Sequence, residues 1–432
     1  MIERLRAIVG EAGLRTGSAA ARFAVHGVAP GAVVAPGSVD EAAAVLELAS
    51  REGWRVEPAG AGTWLDWGRP PEHVDIAVST ERLAAVELYE PADLTAVVGA
   101  GMTLGALEDT LGRHGQWLPL DPAGGGAGTL GAAVSLAEAG PLRLAHGTPR
   151  DHVLGLTLVT ADGRVLELGG RVVKNVAGFD LIKLVTGARG TLGLVCRVCV
   201  RLRPLPERDA TLVLAAAGPE AALELAAAIR DARIEPAALE LVSPPLATEA
   251  LGVDGAEWAV VVRLQGGSEA VGEAEARVRA LAGGGRVLAP DAARAQALWA
   301  ALGEREARAA LVARLADRPS ELAETLATAL RLPGAAGTWP LLAHAGSGIV
   351  RAAVPADACS GEAAGRWAAA LMEARSRLGE RGGTVLCVRA PRDVIDAGLD
   401  PFGDPGPALR LMRALKDRFD PAGVLAAGRF VL

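Results

Sequence analysis

Aromatic side chains are scarce in this 432-residue chain: Phe, Trp and Tyr together make up 3%, and Tyr89 is the one tyrosine. That removes the stacking platforms on which single-stranded nucleic acid lies. A formal net charge of -7 removes the basic surface that a duplex requires. Four cysteines do not make a disulfide framework in a chain this long. Two of them, Cys196 and Cys199, are spaced Cys-x-x-Cys, but within an apolar run, 194–202, that reads as a buried strand. Residues three apart on a strand face opposite sides, so the thiols should not converge. No second pair completes a tetrahedral metal site or an iron–sulfur cluster. Long apolar runs are missing too: the uncharged stretch 332–350 is cut by Pro333 and Pro340, so no spanning helix is expected. Residues 1–6 carry charges with no apolar segment behind them, so no secretory signal is expected. The expected location is the cytoplasm, with the membrane reached only through partners.

What the chain has is glycine, 54 residues of it, in a globular balance of 22% charged and 50% hydrophobic residues. Its length points to two domains. The densest stretch lies within 119–204 and opens Asp121-Pro122-Ala123-Gly124-Gly125-Gly126-Ala127-Gly128-Thr129-Leu130-Gly131. Glycine loses more backbone freedom on folding than any other residue, so such density suits main chain that must approach something closely. A phosphate-bearing cofactor is one such partner; a surface loop of small residues has the same composition.

Taken in order, residues 33–36 read as a strand, followed by a helix that Ser38 caps, with Glu41 three residues on. Residues 55–58 form the next strand and run into Pro58-Ala59-Gly60-Ala61-Gly62-Thr63. A strand ending in Gly-x-Gly-Thr can turn consecutive N–H groups toward one anion. The dinucleotide fingerprint also requires a third glycine opening a helix, and Trp64-Leu65-Asp66-Trp67-Gly68 does not begin one, so a Rossmann reading is poor. Gly99-Ala100-Gly101 reads as a strand end feeding a helix through Leu107 and Leu111. Residues 153–160 and 164–168 flank Ala161-Asp162-Gly163, a hairpin signal. After Pro204-Leu205-Pro206, strands (210–215, 258–264, 349–354, 384–389) alternate with alanine-rich helices (220–233, 269–282, 304–315, 320–330, 362–377), an α+β pattern with an antiparallel sheet. A helix through Leu411 and Leu415 then ends at Asp420-Pro421.

Together the two glycine loops, the segments Arg150-Asp151-His152-Val153-Leu154-Gly155 and 173–181, Phe419-Asp420-Pro421 and Gly428-Arg429 resemble the FAD-binding oxidoreductases of the vanillyl-alcohol oxidase (PCMH) type. Within that group the chain is similar to the FAD-binding subunits of bacterial glycolate oxidase. The resemblance implies an α+β fold. It comprises a two-subdomain FAD-binding domain over 1–206 (about 1–90 and 91–206), a cap over 207–395 and a segment, 396–432, returning to the first domain. It implies FAD held by Pro58, Gly60, Ala61, Gly62 and Thr63, by Pro122, Gly128, Thr129 and Gly131, by Gly140, Arg143, Gly147 and Asp151, and by Gly193 and Val195. Members with a covalent flavin carry a histidine in the first loop; here Ala61-Gly62-Thr63 implies non-covalent FAD. Catalytic relatives carry His-x-Gly-Asp-Gly-Asn with metal-ligating histidines, whereas His344-Ala345-Gly346-Ser347-Gly348 lacks the aspartate and a second histidine. His344 therefore reads as structural and no metal is expected. In place of the family's Asn-Pro-Gly-Arg the chain has Ala426-Ala427-Gly428-Arg429, and Arg429 reads as a surface arginine, with an anion-binding role as the open alternative.

The resemblance implies a flavin subunit that relays electrons or scaffolds a complex, beside a catalytic flavin subunit and an iron–sulfur subunit. Two other readings stay open: a free-standing FAD-dependent dehydrogenase of another small hydroxy acid or alcohol, and a docking module without flavin.

Overall fold

The computed structural model describes residues 1–170, 179–251, 257–334 and 339–431. The chain divides into two compact units: Met1–Ala139, Thr148–Leu205 and Asp404–Leu432 form the first, and Gly140–Gly147 with Pro206–Gly403 the second. The architecture is α+β, as the sequence implies.

The first unit holds two main sheets. One has β1 (Leu14–Arg15), β2 (Ala32–Val34), β3 (Val56–Ala59) and β4 (Ile76–Ser79) in the order β1-β2-β4-β3, with β2 and β3 parallel to β4. The helix Val39–Glu52 carries the chain from β2 to β3. Ser38 Oγ accepts from Glu41 N at its start (3.1 Å), and Gly53 closes it in the left-handed conformation that glycine tolerates best. The second sheet has β5 (Val86–Glu90), β6 (Thr95–Gly99), β8 (Val153–Val159), β9 (Val165–Gly169) and β10 (Leu194–Arg201) in the order β5-β6-β10-β8-β9. Between β6 and β8 lies β7 (Gln116–Trp117), which pairs with β11 (Arg203–Pro204). Val45, Leu46 and Ala49 of the helix share a core with Val159 and Cys196 of the second sheet, so one helix joins the two sheets. The hairpin at Asp162-Gly163 forms as its sequence suggests, with Gly163 at φ +79°.

The second unit is one antiparallel sheet of eight strands: β12 (Arg208–Ala216), β13 (Ala238–Val242), β14 (Trp258–Gly266), β15 (Val287–Leu288), β16 (Leu311–Ala316), β17 (Leu341–His344), β18 (Ile349–Val354) and β19 (Thr384–Arg389). Their order is β15-β12-β14-β13-β17-β18-β16-β19. Each half therefore places its strands as fourth, first, third, second, and the halves meet through β13 and β17. This is an internal duplication of a split β-α-β-β-α-β unit. The helices Pro219–Asp231, Ser268–Leu281, Leu322–Ala329 and Ala364–Gly379 cover one face around Trp339 and Trp367. Leu246, Leu298 and Leu302 cover part of the other.

One expected helix is corrected. Residues 304–315 were expected to be helical, but the helix is Ala292–Arg308, and Leu311–Ala316 is β16. The sheet claims that run because β16 sits between β18 and β19, where its alternate residues Leu311, Ala313 and Leu315 are fully buried. Among the described residues no helix is long and apolar enough to cross a membrane.

Candidate functional site

The first glycine loop begins where β3 ends. Ser79 Oγ, at the end of the neighbouring β4, donates to Gly60 O (3.0 Å) and fixes the exit of the loop. Beyond it the N–H groups of Gly60, Ala61, Gly62 and Thr63 have no acceptor among the described residues. Gly62 sits at φ +92°, which turns the backbone as an anion nest requires. Four donors in sequence at the mouth of a cleft are the clearest chemical feature of this unit.

The second loop arrives from far along the chain and touches the first. A Cβ on Gly60 would stand 2.1 Å from Thr129 Oγ1, so only glycine allows this approach. Thr63 Oγ1 donates to Ala127 O (3.1 Å), and Trp64 Nε1 donates to Ala123 O (2.9 Å). A Cβ on Gly128 would stand 2.2 Å from the Trp64 ring. The helix Leu130–Leu136 follows, with Thr129 as its N-cap. The N–H groups of Leu130 and Gly131 already donate to Met102 O (2.9 Å) and Ala100 O (2.8 Å). The second loop thus spends these two donors on packing, whereas those of residues 60–63 have no acceptor among the described residues.

These parts enclose a cleft of about 760 Å³, its open mouth included. Among the residues expected at a cofactor, Pro58, Gly60, Ala61, Gly62, Thr63, Thr129, Gly131, Gly193 and Val195 line it. Gly128 stands behind the lining against Trp64, and Pro122 accepts from Gly125 N in the same turn (3.0 Å). Asp151 does not line the cleft. It caps the short helix Pro149–His152, accepting from Thr148 N (2.8 Å) and Thr148 Oγ1 (2.9 Å). Burial pushes its carboxyl up, but these hydrogen bonds outweigh that and hold it below the usual range. Gly140, Arg143 and Gly147 belong to the second unit. The segment 173–178 lies outside the described residues.

Sequence reasoning missed the cleft's electrostatic wall. Arg429, read as a surface residue, is 5% exposed and lines the cleft together with Glu57. Its Nε lies 3.2 Å from Glu57 Oε1, and its other nitrogens donate to the carbonyls of Leu65, Trp67 and Arg69. Burial pushes the Glu57 carboxyl up while Arg429 pulls it down. The C-terminal segment is held there by Asp420, 2% exposed, which accepts from Val424 N (3.0 Å), Leu425 N (2.8 Å) and Lys416 Nζ (2.6 Å). Val56 N donates to Val424 O (2.9 Å) and Ala426 N to Val56 O (2.8 Å), so the tail runs beside β3. The one hint in the sequence was Asp420-Pro421 itself, a helix stop followed by a short apolar run.

In the second unit His344 is buried at 3% exposure, with Nδ1 against the Glu240 carboxylate (2.9 Å). No group of three or more His, Cys, Asp or Glu able to hold a metal ion occurs among the described residues.

Residues 30–169 match the family described as FAD binding domain, and residues 205–386 match FAD linked oxidases, C-terminal domain. The chain is similar to a D-lactate dehydrogenase of Archaeoglobus fulgidus, 36% identical over 42% of this chain and 40% of that one. It is similar to the glycolate oxidase subunit GlcD of Bacillus subtilis, 32% identical over 50% and 46%, and to a D-2-hydroxyglutarate dehydrogenase of Xanthomonas citri pv. viticola, 33% identical over 46% and 43%. The chain thus matches less than half the length of each of these relatives. Among solved structures, a p-cresol methylhydroxylase superposes with TM-score 0.74 at 19% identity, covering 99% of this chain and 95% of that one. The 4-ethylphenol oxidase of Gulosibacter chungangensis gives 0.75 at 15%, covering 99% and 96%.

Proposed function

Because the chain carries the FAD binding domain and, after it, the C-terminal domain of the FAD-linked oxidases, it belongs to that family, and we propose that it is the FAD-holding subunit of an oxidoreductase of small 2-hydroxy acids. Its cofactor is FAD. In this reading the free N–H groups of residues 60–63 hold the diphosphate, and Gly193 and Val195 line the same cleft without bulky side chains. Thr129 and Gly131 supply the facing wall. FAD supplies the redox chemistry when bound, accepting hydride equivalents that no side chain can accept. The chain's own residues bind, orient and exclude water. No histidine stands among residues 60–63, so attachment is non-covalent.

The 2-hydroxy-acid class rests on relatives whose names give D-lactate, glycolate and D-2-hydroxyglutarate as their substrates. A catalytic flavin subunit and an iron–sulfur subunit are the proposed partners, glycolate the proposed substrate, and the cytoplasm, with the membrane reached through those partners, the proposed location. The observation that carries the proposal is the single row of unpaired donors in residues 60–63, pressed against Thr129 at a cleft. The experiment is dye-linked oxidation of glycolate by the purified chain, alone and co-expressed with candidate partners. Turnover only in the complex supports the subunit reading; rapid turnover by the isolated chain overturns it.

A further inference from the structure

The main-chain donors of residues 60–63 are neutral, so they orient an anion without balancing its charge. An anion drawn out of water is held best where a formal positive charge also donates to it. Among the described residues three ionisable side chains line the cleft: Glu57, Arg189 and Arg429. Arg429 pairs with Glu57 and donates to the carbonyls of Leu65, Trp67 and Arg69. Glu57 and Arg429 offset each other, so the net formal charge of the lining is that of Arg189.

The backbone at Arg189 is unusual. Residues 187, 189 and 190 all have positive φ, at +86°, +56° and +72°. Two of the three are glycine, which adopts this conformation freely; the third is arginine, for which it is strained. A side chain kept where glycine would fit more easily implies a use for that side chain.

The turn that carries Arg189 is fastened to both loops of the site. Gly187 N donates to Val134 O (3.1 Å) and Arg189 N to Ser135 O (2.7 Å), both acceptors lying on the helix that Thr129 caps. Gly190 stands against Pro58, where a Cβ would come within 3.0 Å of the ring, on the strand that feeds residues 60–63. Thr191 O accepts from Lys416 Nζ (2.9 Å), the ammonium that also donates to Asp420. The Arg189 guanidinium lies over the Phe430 ring, 5.7 Å from its centroid. Stacking engages the face of a guanidinium, while its N–H groups act in the plane, so an aromatic ring orients the group for an anion.

We propose, on the reading that the cleft holds FAD, that Arg189 is a cofactor-binding residue whose guanidinium donates to the diphosphate held by the N–H groups of residues 60–63. It supplies the charge that those groups lack, and the strained turn places it between the two loops.

The test is titration of the flavin-stripped whole chain with FAD, followed by flavin fluorescence, for the parent, Arg189→Gln and Arg189→Lys at low and at high ionic strength. Arg189→Gln should bind FAD roughly tenfold more weakly at low salt. Arg189→Lys should regain part of that loss, because it restores the charge. The gap between the parent and Arg189→Gln should narrow at high salt, where the attraction is screened; a packing role alone would give no such narrowing. Thermal melts of the stripped proteins establish folding, and should Arg189→Gln not fold, Arg189→Gly, which suits the left-handed backbone, takes its place. Unchanged affinity in the folded variant, a loss that lysine does not relieve, or a gap equal at both ionic strengths would each overturn the proposal. A parent that binds no FAD would overturn the FAD reading with it, whereas a parent that binds FAD beside an unaffected Arg189→Gln would overturn the role of Arg189 alone.

Discussion

Gly60 and Thr129 meet with no space between them: a Cβ on Gly60 would lie 2.1 Å from the Thr129 hydroxyl oxygen. That contact brings the loop after β3 against the N-cap of the helix Leu130–Leu136, and it sets the width of the cleft. Replacing Gly60 by alanine forces the loops apart and disturbs the four free donors beyond it. Gly60→Ala should purify folded but with most of its flavin lost, read as the 450 nm absorbance per chain. Full flavin occupancy in that variant would show that the contact does not govern the cleft.

Arg429 and Glu57 form an ion pair buried from solvent on both sides. Removing one partner of such a pair strands a buried charge and costs about 3–5 kcal/mol. Arg429→Ala should therefore lower the stability measured by urea unfolding by that order. Glu57→Gln combined with Arg429→Met should regain only part, because the carbonyls of Leu65, Trp67 and Arg69 still lose their donor. A single variant as stable as the parent would contradict the buried pairing.

Asp151 gives a pH signature. Its carboxyl is held below its ordinary range by the Thr148 hydrogen bonds once they outweigh burial. A depressed carboxyl adds stability that is present above its unfolded pKa and is lost as pH falls through its folded one. Asp151→Asn should therefore destabilise the protein at neutral pH, and the difference from the parent should close as pH drops below the carboxylate range. A difference that is independent of pH would mean that the cap does not depend on the charge.

All four cysteines are buried and none forms a disulfide. Burial pushes the thiols of Cys196 and Cys387 up to about 12, so neither forms a reactive thiolate at neutral pH. A thiol reagent at pH 8 should leave the native protein unlabelled and titrate the cysteines only after denaturation. Fast labelling of the native chain would contradict this burial.

Local features of the fold were legible in the sequence, because their causes are local. Ser38 and Glu41 announced a helix start, Asp162-Gly163 a hairpin, and Gly99-Ala100-Gly101 a strand end feeding the helix that forms as Leu104–Gly112. The glycine loops were legible as loops of close approach. That Leu130 N and Gly131 N are taken up by Met102 O and Ala100 O was not, because those acceptors are set by tertiary packing. β16 was read as helix because alanine and leucine favour helix locally, and only its neighbours β18 and β19 override that. Arg429 looked like a surface residue because Glu57 lies almost the whole chain away. Arg143, which the resemblance gives to the flavin pocket, belongs to the second unit.

The central claim is that residues 60–63 and 129–131 hold one FAD between them without a covalent bond. Its most direct measurement is the visible spectrum of the purified chain, followed by heat denaturation and identification of any nucleotide released. The account predicts a flavin spectrum and close to one FAD per chain in the supernatant. Colourless protein that takes up no added FAD, or flavin that stays with the precipitated chain, would contradict it.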